Sequence, residues 1–330
     1  MFKGIKFSVL LNQLNKRAYR SVVGHFGFRN NALNRYLHEQ LSNPPGKKGS
    51  LIADPVFEAT FGYKQAENKI SSLRGGLLHP DLIDNISSPP ANYKEYTFKK
   101  GFYPYQHQLD AWQLLLSENW KSTLITSGTG SGKTECFLFP ILDDLARERE
   151  ISNKKIEGVR ALFLYPLNAL IKSQRDRLSA WTDGFDGDIR FCLYNGETKR
   201  SVPRSVANHE PQEVKSRKDL RDSPPPILVT NSTMLEYMLV RKDDQPILEK
   251  SQGKLRWIVL DEAHTYIGSQ AAETALLLRR VMLAFNVSPS SIRFIATSAT
   301  IGGEENEIVD DQLRSFWLIW LELILHRWLS

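Results

Sequence analysis

Eight consecutive residues, Ser127-Gly-Thr-Gly-Ser-Gly-Lys-Thr134, combine small side chains with one ammonium and a terminal hydroxyl. Small residues let the backbone wrap closely around an anion, with successive N–H groups turned inward. In such a loop Ser127, Gly128, Thr129, Gly130, Ser131 and Gly132 form the cradle. Lys133 then reaches the β- and γ-phosphates of ATP, and the Thr134 hydroxyl suits Mg2+. An apolar run at 122–126 precedes the loop and a helical stretch at 133–149 follows it, which is the strand–loop–helix context this chemistry needs. The general pattern begins with glycine; Ser127 stands there instead, and is also small.

A second group is Asp261-Glu-Ala-His264, closing the apolar run 257–260. Asp261 suits the magnesium shell, and Glu262 suits polarisation of an attacking water. His264 carries less on its own. A third, Ser298-Ala-Thr300, follows the run 292–296 and says little except by its order and spacing relative to the other two.

These groups need a scaffold that brings distant strand ends together. Short apolar, β-rich runs recur at 122–126, 160–165, 189–194, 227–230, 257–260 and 292–296. Helical stretches at 133–149, 169–181, 232–241 and 271–285 alternate with them. Apolar strands alternating with helices predict an α/β fold, a mostly parallel sheet covered by helices on both faces. Right-handed crossovers put the loops that follow the strands on one edge, where ligands bind. All three groups fall at such strand ends. Residues 1–41 read as helical, in two arms around Gly24–Gly27, and Ser42–Ser50 reads as a loop. A Pro-containing stretch at 86–92 suggests a domain boundary near residue 95. The expected organisation is a basic, mainly helical region at 1–94, an ATP-binding domain at 95–302, and an atypical apolar tail at 303–330.

The net charge is +6, and 15 Lys/Arg stand against 7 Asp/Glu in residues 1–100. The basic excess therefore lies in the N-terminal region, and it attracts polyanions without reading sequence, or serves as a solvated surface. The two cysteines, Cys136 and Cys192, are too few for a disulfide framework and fit a reducing cytoplasm. Cys136 reads as a small buried apolar residue. No run of about 18 uninterrupted apolar residues predicts a transmembrane helix, and the N-terminus lacks the pattern of a signal peptide.

The order SGTGSGKT, Tyr165-Pro-Leu-Asn-Ala-Leu170, Val229-Thr-Asn-Ser-Thr-Met-Leu235, Asp-Glu-Ala-His, Ser-Ala-Thr resembles the first RecA-like domain of a superfamily-two DEAD/DEAH-box helicase. The run 261–280 is especially similar to the large bacterial Lhr-like helicases. The resemblance covers roughly residues 100–302 and implies a nucleic-acid-dependent ATPase. It also implies roles for further residues. Gln108 matches the adenine-reading glutamine, with Gln106 the competing position. Pro166, Asn168, Thr230, Asn231 and Met234 match segments that track a nucleic-acid backbone, DNA or RNA, although Leu167 and Met234 carry side chains of core type. Ser298, Thr300 and His264 match residues that couple nucleotide state to domain movement, and Asn195–Thr198 matches another strand-end contact. Between them, Lys199–Pro226 holds seven Lys/Arg among acidic residues and reads as a long charged loop, solvated or in contact with nucleic acid. The guanine-reading Asn-Lys-x-Asp and the transporter Leu-Ser-Gly-Gly-Gln patterns do not occur, which argues against other P-loop classes.

The family motor uses two RecA-like domains, and only the first is matched here. The resemblance therefore implies ATP binding with slow hydrolysis and no unwinding by this chain alone. A partner chain that supplies a second RecA-like domain is the alternative. Phe316–Leu329 has 11 apolar residues in 14 and three of the seven Trp. It reads as an out-of-frame continuation of a truncated copy, with an amphipathic surface helix or a packed domain end as other readings.

Overall fold

The computed structural model describes residues 7–27, 29–55, 62–128, 130–266 and 269–299. They form two compact units that divide at Gly62 and Tyr63. In the first, α1 (Phe7–Phe26) and α2 (Asn31–Leu41) are joined across Gly27, whose φ of 56° lies in the left-handed region open to glycine. The Asn30 side chain accepts from the Ala32 and Leu33 amides and caps α2. Tyr19 of α1 meets the His38 ring of α2 edge-on at 4.6 Å. These are the two helical arms expected around Gly24–Gly27.

The second unit opens with α3 (Pro80–Ser87) and α4 (Gln106–Leu116) and then alternates strand and helix: β1 (Thr123–Ser127), α5 (Lys133–Ser152), β2 (Ala161–Leu164), α6 (Asn168–Thr182) and β3 (Phe191–Tyr194). Two short helices follow, α7 (Arg204–His209) and α8 (Arg217–Asp222). The chain continues through β4 (Ile227–Thr230), α9 (Ser232–Val240), α10 (Gln245–Glu249), β5 (Trp257–Leu260), α11 (Ser269–Ala284) and β6 (Arg293–Ala299). The described strands pair in the order β1-β6-β5-β2-β4-β3, every pair parallel. Side-chain alternation explains why each strand reads as a continuous apolar run. Ala161 and Phe163 enter the core layer shared with α3, α4, α5 and α6, while Leu162 and Leu164 enter the layer shared with α9 and α11. Trp257 and Val259 separate from Ile258 and Leu260 in the same way.

The unit begins at Tyr63 rather than near residue 95. The reason is burial: Ile70, Leu73, Leu82, Ile83 and Ile86 join the core layer beneath α5 and α6. Trp181 of α6 also donates its indole N–H to the Tyr96 carbonyl at 2.9 Å. The Pro-rich stretch is the end of α3 and a 3-10 turn at Ala91–Tyr96, not a linker between domains.

The charged segment Lys199–Pro226 is also more ordered than its composition suggests. It contains α7 and α8, and Gln212, Val214, Ser216 and Leu220 are buried. Arg175 on α6 pairs with Glu210 and Glu213 at 2.7 and 2.6 Å, which ties the segment to the body of the domain.

Candidate functional site

The carboxyl ends of β1, β6 and β5 lie side by side. The loop Ser127–Thr134 leaves the first of them. Gly130 and Gly132 have φ of 77° and 78°, and Gly132 is the N-cap of α5. A side chain at Gly132 would collide with the Gln108 amide. Lys133 is the first residue of α5, and its ammonium donates to the carbonyls of Ser127 at 2.7 Å and Gly128 at 3.2 Å. Ser127 and Ser131 pair their hydroxyls at 2.5 Å beneath the loop. Thr129 lies outside the described residues.

A cavity of about 620 Å³ adjoins the loop, lined by residues 130–135, by Gln65, Phe102, Tyr103, Tyr105 and Gln108, and by Arg177 from α6. Of the two candidate glutamines, Gln108 lines it. Its amide is engaged at both ends: Oε1 accepts from the Tyr105 amide at 2.9 Å, and Nε2 donates to the Gly132 carbonyl at 3.2 Å. Gln106 turns along α4 to Asp110 at 2.7 Å. Arg177 and Glu135, 3.8 Å apart, went unnoticed in the sequence. Nothing local marks Arg177, because α6 reaches the loop only through packing of the folded sheet.

Asp261 closes β5, and the Thr297 hydroxyl on β6 donates to its Oδ1. Burial raises the Asp261 carboxyl above the usual range, the Thr297 hydroxyl opposes that shift, and Glu262 beside it adds to it. Thr297 is a second residue that sequence reasoning missed, although it precedes Ser298 directly. Glu262 has φ 52° and ψ 50°, a left-handed conformation that costs roughly 1–3 kcal/mol for a non-glycine residue. Its Oε2 is buried, without a hydrogen bond, 3.4 Å from His264 Nδ1. The same Nδ1 lies 3.3 Å from the buried Ser298 hydroxyl. His264 thus stands between the Glu262 carboxylate, just past β5, and the serine on β6. Thr300 and the tail 303–330 lie outside the described residues.

One hydroxyl, Thr134, and one carboxylate, Asp261, beside a phosphate cradle form a hard-oxygen set. Such a set suits Mg2+, which keeps several waters and shares substrate phosphates. No closed cluster of three or more metal-binding side chains occurs among the described residues. Cys136, just past the loop, is buried with its thiol pushed up to about 12 by desolvation, so it is inert packing.

A second cavity, about 500 Å³, opens at the ends of β2 and β4. Pro166, Leu167, Asn168, Asn231 and Ser232 line one side, and Glu236, Tyr266 and Glu273 contribute to the rest. Asn231 caps α9 through the Met234 amide at 2.8 Å and donates to Asn168 Oδ1 at 2.8 Å, joining two helix N-termini. Leu167 is 63% exposed and so is not a core residue, whereas Met234 is buried. Thr230 is fully buried, and its hydroxyl donates to the Tyr194 carbonyl at 2.7 Å. Its side chain holds the strand end and does not face the cavity opening. Asn195–Thr198 forms a tight turn in which Asn195 accepts from the Glu197 amide at 3.0 Å.

Residues 105–308 match the DEAD/DEAH box helicase family. The Druantia protein DruE of Escherichia coli (strain UMEA 4076-1) is 29% identical over 295 residues, covering 62% of this chain and 16% of that protein. The uncharacterized ATP-dependent helicase YprA of Bacillus subtilis (strain 168) is 29% identical over 219 residues, covering 63% and 25% respectively. The chain thus spans a quarter or less of these two relatives. Among solved structures, the DUF1998 helicase MrfA bound to DNA and AMPPNP superposes with a TM-score of 0.51 at 25% identity, over 73% of this chain and 29% of that one.

Proposed function

The chain belongs to the DEAD/DEAH box helicase family, and from that premise we propose that it binds ATP with Mg2+ at Ser127–Thr134 and single-stranded nucleic acid at the ends of β2 and β4. The observation that carries the reading is that the loop leading to Lys133 leaves β1 while Asp261 and Glu262 follow β5, at the same edge of one parallel sheet in which only β6 separates the two strands. Loop amides and Lys133 bind the phosphates. Gln108 lines the cavity in which adenine sits. Thr134 and Asp261 would hold Mg2+, which supplies charge neutralisation at the phosphates. Glu262 orients the attacking water, and His264 and Ser298 carry the state of that site across to β6.

Nucleic acid binds through the N-termini of α6 and α9, where Pro166, Asn168 and Asn231 line the cavity and Thr230 anchors the strand beneath. Helix N-termini offer N–H groups and a favourable dipole to backbone phosphates. The crystallisation of MrfA with DNA and AMPPNP supports the pairing of these two ligands. Hydrolysis by this chain alone is slow in this reading. The reading takes the arginines of a second RecA-like domain, worth roughly 10³–10⁵ in rate, as the partner of this site.

The test is an ATP titration of the 330-residue chain with Mg2+, with and without a single-stranded oligonucleotide, beside Lys133→Ala. The variant is expected to lose at least about tenfold in affinity, since a hydrogen bond to a charged group is worth roughly 1.5–3 kcal/mol. Wild type that shows no saturable ATP binding, or a variant of equal affinity, would sink the proposal.

A further inference from the structure

The phosphate loop is gripped from outside by α4. Three side-chain N–H groups on that helix reach backbone carbonyls of the loop and of the first turn after it. His107 Nε2 lies 3.0 Å from the Ser131 oxygen, Gln108 Nε2 lies 3.2 Å from the Gly132 oxygen, and Trp112 Nε1 lies 2.9 Å from the Glu135 oxygen. A carbonyl oxygen only accepts, so the His107 ring carries its hydrogen on Nε2. Two aromatic rings hold that imidazole. Tyr105 stacks on it at 5.6 Å and 16°, and Tyr63 meets it edge-on at 5.3 Å. Tyr63 also sits so close to Gly128 that a Cβ there would come within 2.7 Å of its hydroxyl.

The consequence follows from peptide geometry. A trans peptide is planar and carries its C=O and N–H on opposite sides. Drawing the Ser131 carbonyl toward His107 turns the Gly132 N–H the other way. Gln108 does the same to the Lys133 N–H through the Gly132 carbonyl. These two amides open α5, where the helix dipole favours an anion. Gly130 and Gly132, with φ of 77° and 78°, give this stretch a wide choice of backbone conformation. An external clamp selects among those conformations.

We infer that His107 is a positioning residue for the nucleotide phosphates, acting through the Ser131–Gly132 peptide without touching the nucleotide. It is absent from the residues that line the cavity beside the loop. The inference rests on the proposed binding of ATP at this loop.

Three substitutions separate the donor from the ring. His107→Gln keeps an N–H donor, because its Nε2 stands as many bonds from Cβ as the imidazole Nε2. His107→Phe keeps a ring without a donor. His107→Glu matches glutamine in size and only accepts. With ATP and Mg2+ titrated into the full chain, His107→Phe and His107→Glu are expected to raise Kd by about tenfold and His107→Gln by less than about twofold, as the loss or retention of one hydrogen bond to a loop carbonyl predicts. A merely structural role would not be rescued by glutamine. Wild-type affinity in His107→Phe, or equal weakening in His107→Gln, overturns the inference. Should His107→Phe not fold, His107→Glu against His107→Gln decides by the same comparison. A wild-type chain that fails to bind ATP overturns the reading of the loop itself and this inference with it, a result distinct from binding that the variants leave unchanged.

Discussion

The hydroxyl of Thr297 on β6 donates to the carboxylate of Asp261 at the end of β5. The two residues stand 36 positions apart, and the register Leu260↔Ala296 makes them neighbours. Asp261 is therefore a half-buried carboxylate, and desolvation raises its pKa above the usual value although the Thr297 hydroxyl and the Glu262 amide oppose the shift.

That burial predicts a pH-dependent instability. A carboxyl whose folded pKa is raised binds more protons folded than unfolded, so stability falls as pH rises from its unfolded pKa through its folded one. Asp261→Asn removes this ionisation while keeping an oxygen for Thr297. It is expected to raise Tm by a few degrees at pH 7.5, at roughly 2–4 °C per kcal/mol for a domain of this size, and to flatten the fall of Tm above the acidic range. The same variant should lose the Mg2+-dependent part of ATP affinity. Thermal melts across pH 4–8 with and without Mg2+–ATP check both effects. A variant less stable than wild type at pH 7.5 would refute the account of Asp261.

Glu262 predicts a different separation. Its carboxylate lies beside His264, and in the proposed role its charge serves the attacking water rather than the binding of phosphates. Glu262→Gln should leave ATP affinity within about twofold of wild type and lower the residual hydrolysis rate by about 10²-fold or more, the usual size of a lost general base. Single-turnover hydrolysis with labelled ATP measures this even where turnover is slow. Equal rates in wild type and variant would remove Glu262 from the chemistry.

The domain boundary yields a third prediction and shows where sequence reading stops. Six strands and the helices α5, α6, α9 and α11 were legible within a few residues, because strands buried on both faces leave unbroken apolar runs; α4 was not marked as a helix. The loop 127–134 and the acidic pair 261–262 were legible because their chemistry is local. The Asp261–Thr297 contact and the approach of Arg177 were not, since each depends on strand register or helix packing. Residues 63–94 were misassigned for a similar reason: local Pro and Ser signals mark turns, but the burial of Leu82, Ile83 and Ile86 is a tertiary fact. A chain that starts at residue 63 should stay soluble and melt cooperatively. One that starts at 95 exposes the core face under α5 and α6 and should aggregate. Equal folding of both would return the boundary to residue 95.

Asn231 allows the nucleic-acid reading to be tested without unfolding the site. It caps α9 through the Met234 amide and donates to Asn168. Asn231→Ala would lose the cap, at a cost of about 1 kcal/mol, and would mix stability with binding. Asn231→Asp is the sharper change. Aspartate is an equally good N-cap, so Tm should move by less than about 2 °C, a shift of no more than about 1 kcal/mol. Yet it adds a negative charge between the N-termini of α6 and α9, where a backbone phosphate would sit, and it removes the donor to Asn168. Affinity for a single-stranded oligonucleotide, read by fluorescence anisotropy, should fall by about tenfold or more at 50 mM salt. The gap should narrow as salt is raised, because the added repulsion is screened. ATP affinity in the absence of nucleic acid should not change, since the loop leaves β1 at the far edge of the sheet from β4. An Asn231→Asp chain that binds the oligonucleotide as wild type does would move the nucleic-acid path away from this groove.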